Sequence, residues 1–393
     1  MSARAWLAGA ALLGATLAVS PVWVAQAQDA GEEKPAADSA EKTSEYSSAQ
    51  EVLGSLQGLT KDWKNPRNPS EEEIAGFFAS AFPRCADYLD ANKEAKDADL
   101  IYNWAGRRAA YAYGNEGFVR IANSYMAAKP EAEDLKTWKD AALFARLGIE
   151  ADAEAAKKEL VDLEKAAKDD PSRRLELADI WLRYFDKQSD SEGKSKLIEK
   201  LKSDESFTKS EDEWVQRRLM RTIFANSDKQ EITDGEAFPD WASVMTVNAL
   251  DGKPISVADY KGKVILIDFW AVWCGPCMGE MPNVIKLYEE THETGFEVIG
   301  ISLDNESGKF DLEALKSTIA GKGRVSEMPW RQIYDGGGWS SGLAKYYGVR
   351  SIPKTVLIDQ SGTVVAQGLR GEELASKVKE LLAKDAAEEG ADK

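Results

Sequence analysis

The sequence predicts two domains, an all-α half followed by an α/β half built on a central sheet with helices on both faces. Three observations predict this. From Val52 to Ile232 the chain is rich in Ala, Leu, Glu and Lys, with apolar residues at three- and four-residue spacing, the period of amphipathic helices. From about Phe238 the grammar changes to apolar strand-like runs alternating with helical stretches. At one junction between a strand and a helix stand two cysteines separated by two residues, in Trp273-Cys274-Gly275-Pro276-Cys277.

The elements follow in chain order. Arg4 supplies positive charge, Ala5 to Val19 is almost wholly apolar, and Ala25-Gln26-Ala27 fits a small-x-small cleavage site. Residues 1–27 therefore read as an export signal cut after Ala27, and the expected destination is the periplasm or cell envelope. The rival reading is an uncleaved membrane anchor, because the weakly polar stretch runs for roughly 20 residues; Pro21 and Gln26 interrupt that span. Residues 28–50 are Ala, Glu, Lys, Asp and Ser with one aromatic, too polar to bury a core, and read as a flexible linker. Residues 51–235 read as an all-α domain of seven to nine helices, among them Ala151 to Lys168, Leu175 to Phe185 and Trp214 to Phe224. Trp104 and Trp138 stand 34 residues apart, each followed ten residues later by a glycine, Gly114 and Gly148. That period suits helical hairpins of the tetratricopeptide type; Trp181 and Trp214 do not continue it, and an irregular helical bundle is the alternative. The five tryptophans from Trp63 to Trp214 are expected in the core rather than on a ligand platform.

In residues 238–384, Asp251-Gly252 signals a hairpin. Strands are expected at Val264 to Trp270, Phe296 to Leu303, Arg331 to Tyr334, Thr355 to Asp359 and Val364 to Gly368. Helices are expected at Cys277 to Thr291, Leu312 to Ala320, Gly342 to Tyr347 and Glu372 to Leu382, with residues 385–393 a frayed polar tail.

Composition excludes several functions. With 50 Lys and Arg against 67 Asp and Glu, the net charge is −17, and no basic block is present; nucleic-acid binding needs clustered cations. Three cysteines are too few for a disulfide scaffold. A bridge across two residues closes a tiny loop and removes little chain entropy, so stability is a weak motive for Cys274 and Cys277. Redox exchange is the stronger one: a thiol at a helix N-terminus sits in partial positive charge that favours thiolate.

The segment Pro239 to Lys384 resembles the thioredoxin-like family, specifically the exported thiol-disulfide oxidoreductases of the TlpA and ResA type. The resemblance rests on Asn248-Ala249-Leu250-Asp251-Gly252-Lys253, Gly262-Lys263-Val264, Phe269-Trp270-Ala271-Val272-Trp273-Cys274-Gly275-Pro276-Cys277, Glu280-Met281-Pro282, and Tyr347-Gly348-Val349-Arg350-Ser351-Ile352-Pro353. The helical half carries no comparable motif. The resemblance implies a redox-active disulfide between Cys274, the exposed attacking cysteine, and Cys277, the resolving one. It implies that Pro353 is a cis-proline facing that disulfide, that the backbone of Ile352 pairs with substrate, and that Pro282 kinks the first helix. Asp268, in the apolar strand, matches the buried acid that exchanges a proton with Cys277; the competing reading is a strand-end Asp bonded to a nearby amide. Glu280 matches an acid that influences the cysteine pair, against a surface Glu that complements the helix N-terminus. Trp273, Gly275 and Pro276 would contact substrate, with packing as the alternative for Trp273.

Gly275-Pro276 carries no charged or imidazole group, and the single histidine, His292, lies at the far end of the helix. A strong oxidant needs a very stabilised thiolate, so a reductant of protein disulfides is expected, supplied with electrons by a membrane-embedded thiol reductant. Relatives of this type often serve cytochrome c maturation or repair of envelope cysteines. No cofactor beyond the disulfide is expected, since tetrahedral zinc would need two more ligands. Cys85 reads as a small buried hydrophobe. Two other function classes compete: a helical protein-interaction scaffold whose thioredoxin-like domain is mainly structural, and a thiol peroxidase. Peroxiredoxins place Thr three residues before the reactive Cys, where this chain has Ala271.

Overall fold

The computed structural model describes residues 45–66 and 68–391. The expected signal peptide and most of the expected linker lie outside the described residues. The chain divides into two compact units between Ser195 and Lys196.

The first unit is helical: α1 (Ala49–Ser55), α2 (Glu71–Ala91), α3 (Ala98–Gly106), α4 (Glu116–Ala128), α5 (Leu135–Arg146), α6 (Ala153–Ala166) and α7 (Pro171–Gln188), with α8 (Ser191–Ser203) crossing into the second unit. Local chemistry starts these helices. Ser70 and Glu73 form a reciprocal capping box on α2, which satisfies two orphan amides. Asp170 accepts from the Arg173 amide and Pro171 occupies the first turn of α7, where its missing N–H has no partner to lose. Phe82, Cys85, Phe118 and Trp138 share one core; Leu143, Phe144, Leu160 and Leu177 share a second. Trp138 is buried, and Trp63, Trp104 and Trp181 are half-buried, so none forms an open platform. The 34-residue spacing of Gly114 and Gly148 has a packing explanation. Gly114 adopts φ +71°, and a Cβ on Gly148 would stand 2.8 Å from the Gly114 Cα. Two backbones touch there, which accounts for both glycines without a repeat.

The second unit adds α9 (Glu205–Thr208), α10 (Glu213–Ala225), β1 (Val264–Trp270), α11 (Gly275–Thr291), β2 (Phe296–Ser302), α12 (Leu312–Ile319), β3 (Arg331–Tyr334), α13 (Gly342–Tyr346), β4 (Lys354–Ile358), β5 (Val364–Gln367) and α14 (Gly371–Ala391). Its sheet has the order β3-β2-β1-β4-β5. β1 runs parallel to β2, with Val264 opposite Phe296, and antiparallel to β4, with Ile265 opposite Ile358. This is the mixed sheet that the thioredoxin-like resemblance implies. β1 is central and buried at every position, as a continuous apolar run requires. Before Val264 no strand occurs among the described residues. Asp251-Gly252 turns a small loop, closed by an isolated Asn248–Pro254 bridge with Gly252 at φ +77°, rather than a hairpin of the main sheet.

Two boundaries differ from expectation. Helix α14 runs on to Ala391, through residues expected to fray; its Ala, Glu, Lys and Asp residues include no proline, and most are good helix formers. The compact unit that holds the sheet extends back to Lys196, ahead of the strand-and-helix alternation that begins near Phe238. The reason is α10. Met220 and Phe224 belong to the same apolar cluster as the strands, and the Phe224 ring lies 5.1 Å from that of Tyr346. A Cβ on Gly342 would stand 2.8 Å from the Arg221 Cα, so α10 and α13 pack backbone to backbone.

Candidate active site

β1 delivers the chain to a short turn, and Cys274 caps α11, its Sγ accepting from the Cys277 amide at 3.2 Å. Cys274 and Cys277 are joined by a disulfide, with Cα atoms 5.2 Å apart. The expected exposure of Cys274 is not observed: it is 5% exposed and Cys277 2%. The sulfur of Cys274 turns onto the first turn of α11, and Gly275 and Pro276 occupy the surface instead. The Ile352–Pro353 peptide bond is cis, and Ile352 packs half-buried against the core. Pro282 lies inside α11. His292 ends that helix, roughly 25 Å along its axis from Cys274.

Asp268 is buried on β1, and its Oδ1 has no hydrogen-bond partner. Burial, and then the negative charge of Glu280, pushes its carboxyl up to about 7, while Arg370 opposes them. An unpartnered buried carboxyl is held neutral because its charged form is badly solvated. Glu280 accepts from the Gly371 amide at 2.6 Å and from Asn283 Nδ2 at 3.0 Å, tying α11 to the start of α14. Arg370, the residue before Gly371, donates from Nη2 to the carbonyl of Pro353 at 2.8 Å. Two consecutive residues thus reach the cis-proline and Glu280.

The sequence reading missed Arg370 and Asp304. Asp304 is fully buried. Both its carboxylate oxygens lie 3.1 Å from the amide of Val272, and Ser302 Oγ donates to it at 2.9 Å. Burial pushes this carboxyl up to about 6 against those two hydrogen bonds. Trp273 Nε1 donates to the carbonyl of Leu303 at 3.1 Å. The segment 302–304 therefore fixes the two residues that lead into Cys274. An Asp closing the apolar run Ile301-Ser302-Leu303-Asp304 was the available signal; Arg370 had none.

Residues 233–382 match the Redoxin family. Over 166 residues the chain is 33% identical to the thiol-disulfide oxidoreductase ResA of Bacillus cereus, covering 42% of this chain and 85% of that protein. The chain belongs to the ResA family of thiol-disulfide oxidoreductases. ResA of Geobacillus thermodenitrificans is 28% identical over 145 residues, 36% of this chain and 74% of that protein. The solved thioredoxin domain of a thiol-disulfide oxidoreductase from Bacteroides vulgatus is 26% identical and covers 38% of this chain and 99% of that domain, with a TM-score of 0.32. The Redoxin match of this ResA-family chain begins at residue 233, so the helical unit lies outside it. Among the described residues of this ResA relative, no group of three or more His, Cys, Asp or Glu could hold a metal ion, and no helix is long and apolar enough to cross a membrane.

The third thiol of this ResA relative is inert by placement. Cys85 is free, wholly buried in α2, and pushed up to about 12 by burial, which outweighs Arg84 and Arg108. In the reduced native protein at pH 8, iodoacetamide is expected to modify Cys85 on the order of 1000-fold more slowly than an ordinary thiol, because only thiolate reacts. Mass spectrometry of the alkylated chain reads this; rapid labelling of Cys85 without denaturant would contradict its burial.

Proposed function

We propose that this chain is an exported reductant of protein disulfides. The observation that carries the reading is the Cys274–Cys277 disulfide seated on the N-terminus of α11, in a chain that also has a cis-proline and a buried, unpartnered carboxyl. Export is supported by Arg4, the apolar run Ala5 to Val19 and the Ala25-Gln26-Ala27 site.

In the reduced protein the Cys274 thiolate attacks one sulfur of a client disulfide; a new S–S bond forms and the other client sulfur leaves as thiolate. Asp268 in its ionised form, populated as pH rises towards and past about 7, takes the proton of Cys277, whose thiolate attacks Cys274, so that the intramolecular disulfide forms and the second client sulfur departs as thiolate. Two electrons pass to the client, and a membrane-embedded thiol reductant restores the pair. Ile352 and Pro353 align the client chain; Trp273, Gly275 and Pro276 meet it around the sulfur; Glu280 biases the charge near the pair. The helical unit serves as an adaptor for clients or partners.

Thiolate tuning contributes modestly to rate. Lowering a thiol from about 8.5 to about 7 raises its ionised fraction at pH 7 by roughly 1.2 to 1.5 log units. Lower basicity returns about 0.6 to 0.7 of these through a Brønsted slope near 0.4–0.5. Potential is the more telling property. With only Gly and Pro between the cysteines, equilibration in dithiothreitol or glutathione buffers is expected to give a value near thioredoxin's, about −270 mV. A couple more oxidising than about −180 mV would exclude a reductant.

A further inference from the structure

We propose that Trp339, paired with Trp273, is a specificity-determining residue that seats an apolar side chain of the client polypeptide next to the cysteine under attack. This rests on the reading of the chain as a protein-disulfide reductase. Among the described residues three large apolar side chains are exposed, Leu100, Val161 and Trp339, and Trp339, at 38%, is the aromatic one. Single exposed apolar residues are ordinary on protein surfaces. Trp339 differs in position and in mounting.

Its ring centroid lies 5.7 Å from that of Trp273 at an interplanar angle of 53°, and Trp273 is the chain neighbour of Cys274. The indole therefore continues the surface that already contains Gly275 and Pro276. The loop that carries it is rigidly held. Asp335 accepts from the amide of Gly337 at 2.8 Å and from that of Gly342 at 2.7 Å. The Gly338 amide donates to Asp304, and the Glu306 amide to Gly336. Arg221 Nη1 donates to the Asp335 carbonyl at 3.0 Å. Gly338 adopts φ +55°, and a Cβ on Gly337 would stand 2.7 Å from the Ser341 amide nitrogen, so the turn has no room for ordinary residues. Such a mount fixes the backbone from which the indole projects. Trp273 is fixed on the other side by its bond to Leu303.

Two neighbouring indoles next to the cysteine pair present a broad apolar face, the composition of an interface anchor. A polypeptide can cover that face with a Phe, Leu or Met near its own cysteine; a small hydrophilic disulfide cannot. The occupant is thus a client segment with an apolar residue adjoining the disulfide.

The test uses the full chain as wild type, Trp339→Ala and Trp339→Phe. Two peptide disulfides are compared, identical except for Phe or Ser beside the cysteine, and kcat and KM are measured for each with the reduction potential as a control. Wild type is expected to favour the Phe peptide. Trp339→Ala is expected to lower that preference about tenfold, through KM, at unchanged potential, and Trp339→Phe to keep most of it. An unaltered preference in Trp339→Ala, or a loss that falls on kcat with a shifted potential, would overturn the assignment. Wild type inactive on both peptides would refute the reductase reading, and this inference with it; an active wild type with unaltered preference refutes this inference alone.

Discussion

Cys277→Ser is expected to stop catalytic turnover and leave the client covalently attached. The reduced variant still presents Cys274 at the start of α11, so attack on a client disulfide proceeds and a mixed disulfide forms. Resolution needs a second sulfur within bonding reach of Cys274, and the structure provides one, Cys277, whose sulfur is bonded to it. Cys85 offers no substitute, being wholly buried and pushed far above the ordinary thiol range. Turnover should fall by on the order of 10³-fold or more, to the rate at which external thiols reach the adduct. Non-reducing electrophoresis with a defined client should show one client bound per chain, released by dithiothreitol, and nothing bound in the Cys274→Ser, Cys277→Ser double variant. Multiple turnovers by Cys277→Ser would remove the two-cysteine mechanism.

Asp268→Asn should make the protein more stable at alkaline pH and slower as a catalyst. The folded-state carboxyl is raised from the ordinary range near 4 to about 7. Below about pH 4 the group is protonated in both folded and unfolded chains, and it costs nothing. Between about 4 and 7 the unfolded chain ionises while the folded one holds its proton, so stability falls as pH rises. Above about 7 both are ionised and the penalty levels off, on the order of 3 to 4 kcal/mol for a shift of about three units. Asn has the same shape and no charge. Urea denaturation should therefore show Asp268→Asn more stable than wild type by on the order of 3 kcal/mol at pH 8, with the gap closing near pH 4. A gap independent of pH would mean that the acid is not held neutral. On the proposed role of Asp268 as proton acceptor for Cys277, the variant should slow client reduction on the order of 10²-fold and lose a limb near pH 7 from its pH profile.

The parts of the site legible in the sequence were those encoded by neighbours in the chain. Val264 to Trp270 reads as a buried strand because every residue but Asp268 is apolar, and it is one. Cys274 to Cys277 could be placed at the strand–helix junction because the run ends at Trp270 and Pro276 suits a first helical turn. The parts not legible depend on contacts across the chain. Asp304 holds an amide 32 residues away, and Arg370 a carbonyl 17 residues away; no local period announces such bonds. Helix α10 was assigned with the helices before it because its amphipathic pattern matches theirs; only the packing of Met220 and Phe224 shows where it belongs. Gly114 and Gly148 show the reverse case, in which a 34-residue spacing coincides with a contact between two backbones.

The place of α10 bears on how such a redox module could be moved between proteins. The stretch recognisable by descent starts at residue 233, whereas the compact unit that contains it starts at 196. A graft cut at the former would carry the whole sheet and both sulfurs, yet strip the wall against which Tyr346 rests and the guanidinium that props the carbonyl of Asp335. Heredity and architecture draw the border of this module some forty residues apart, and a transplant that follows the architectural one is expected to keep those supports.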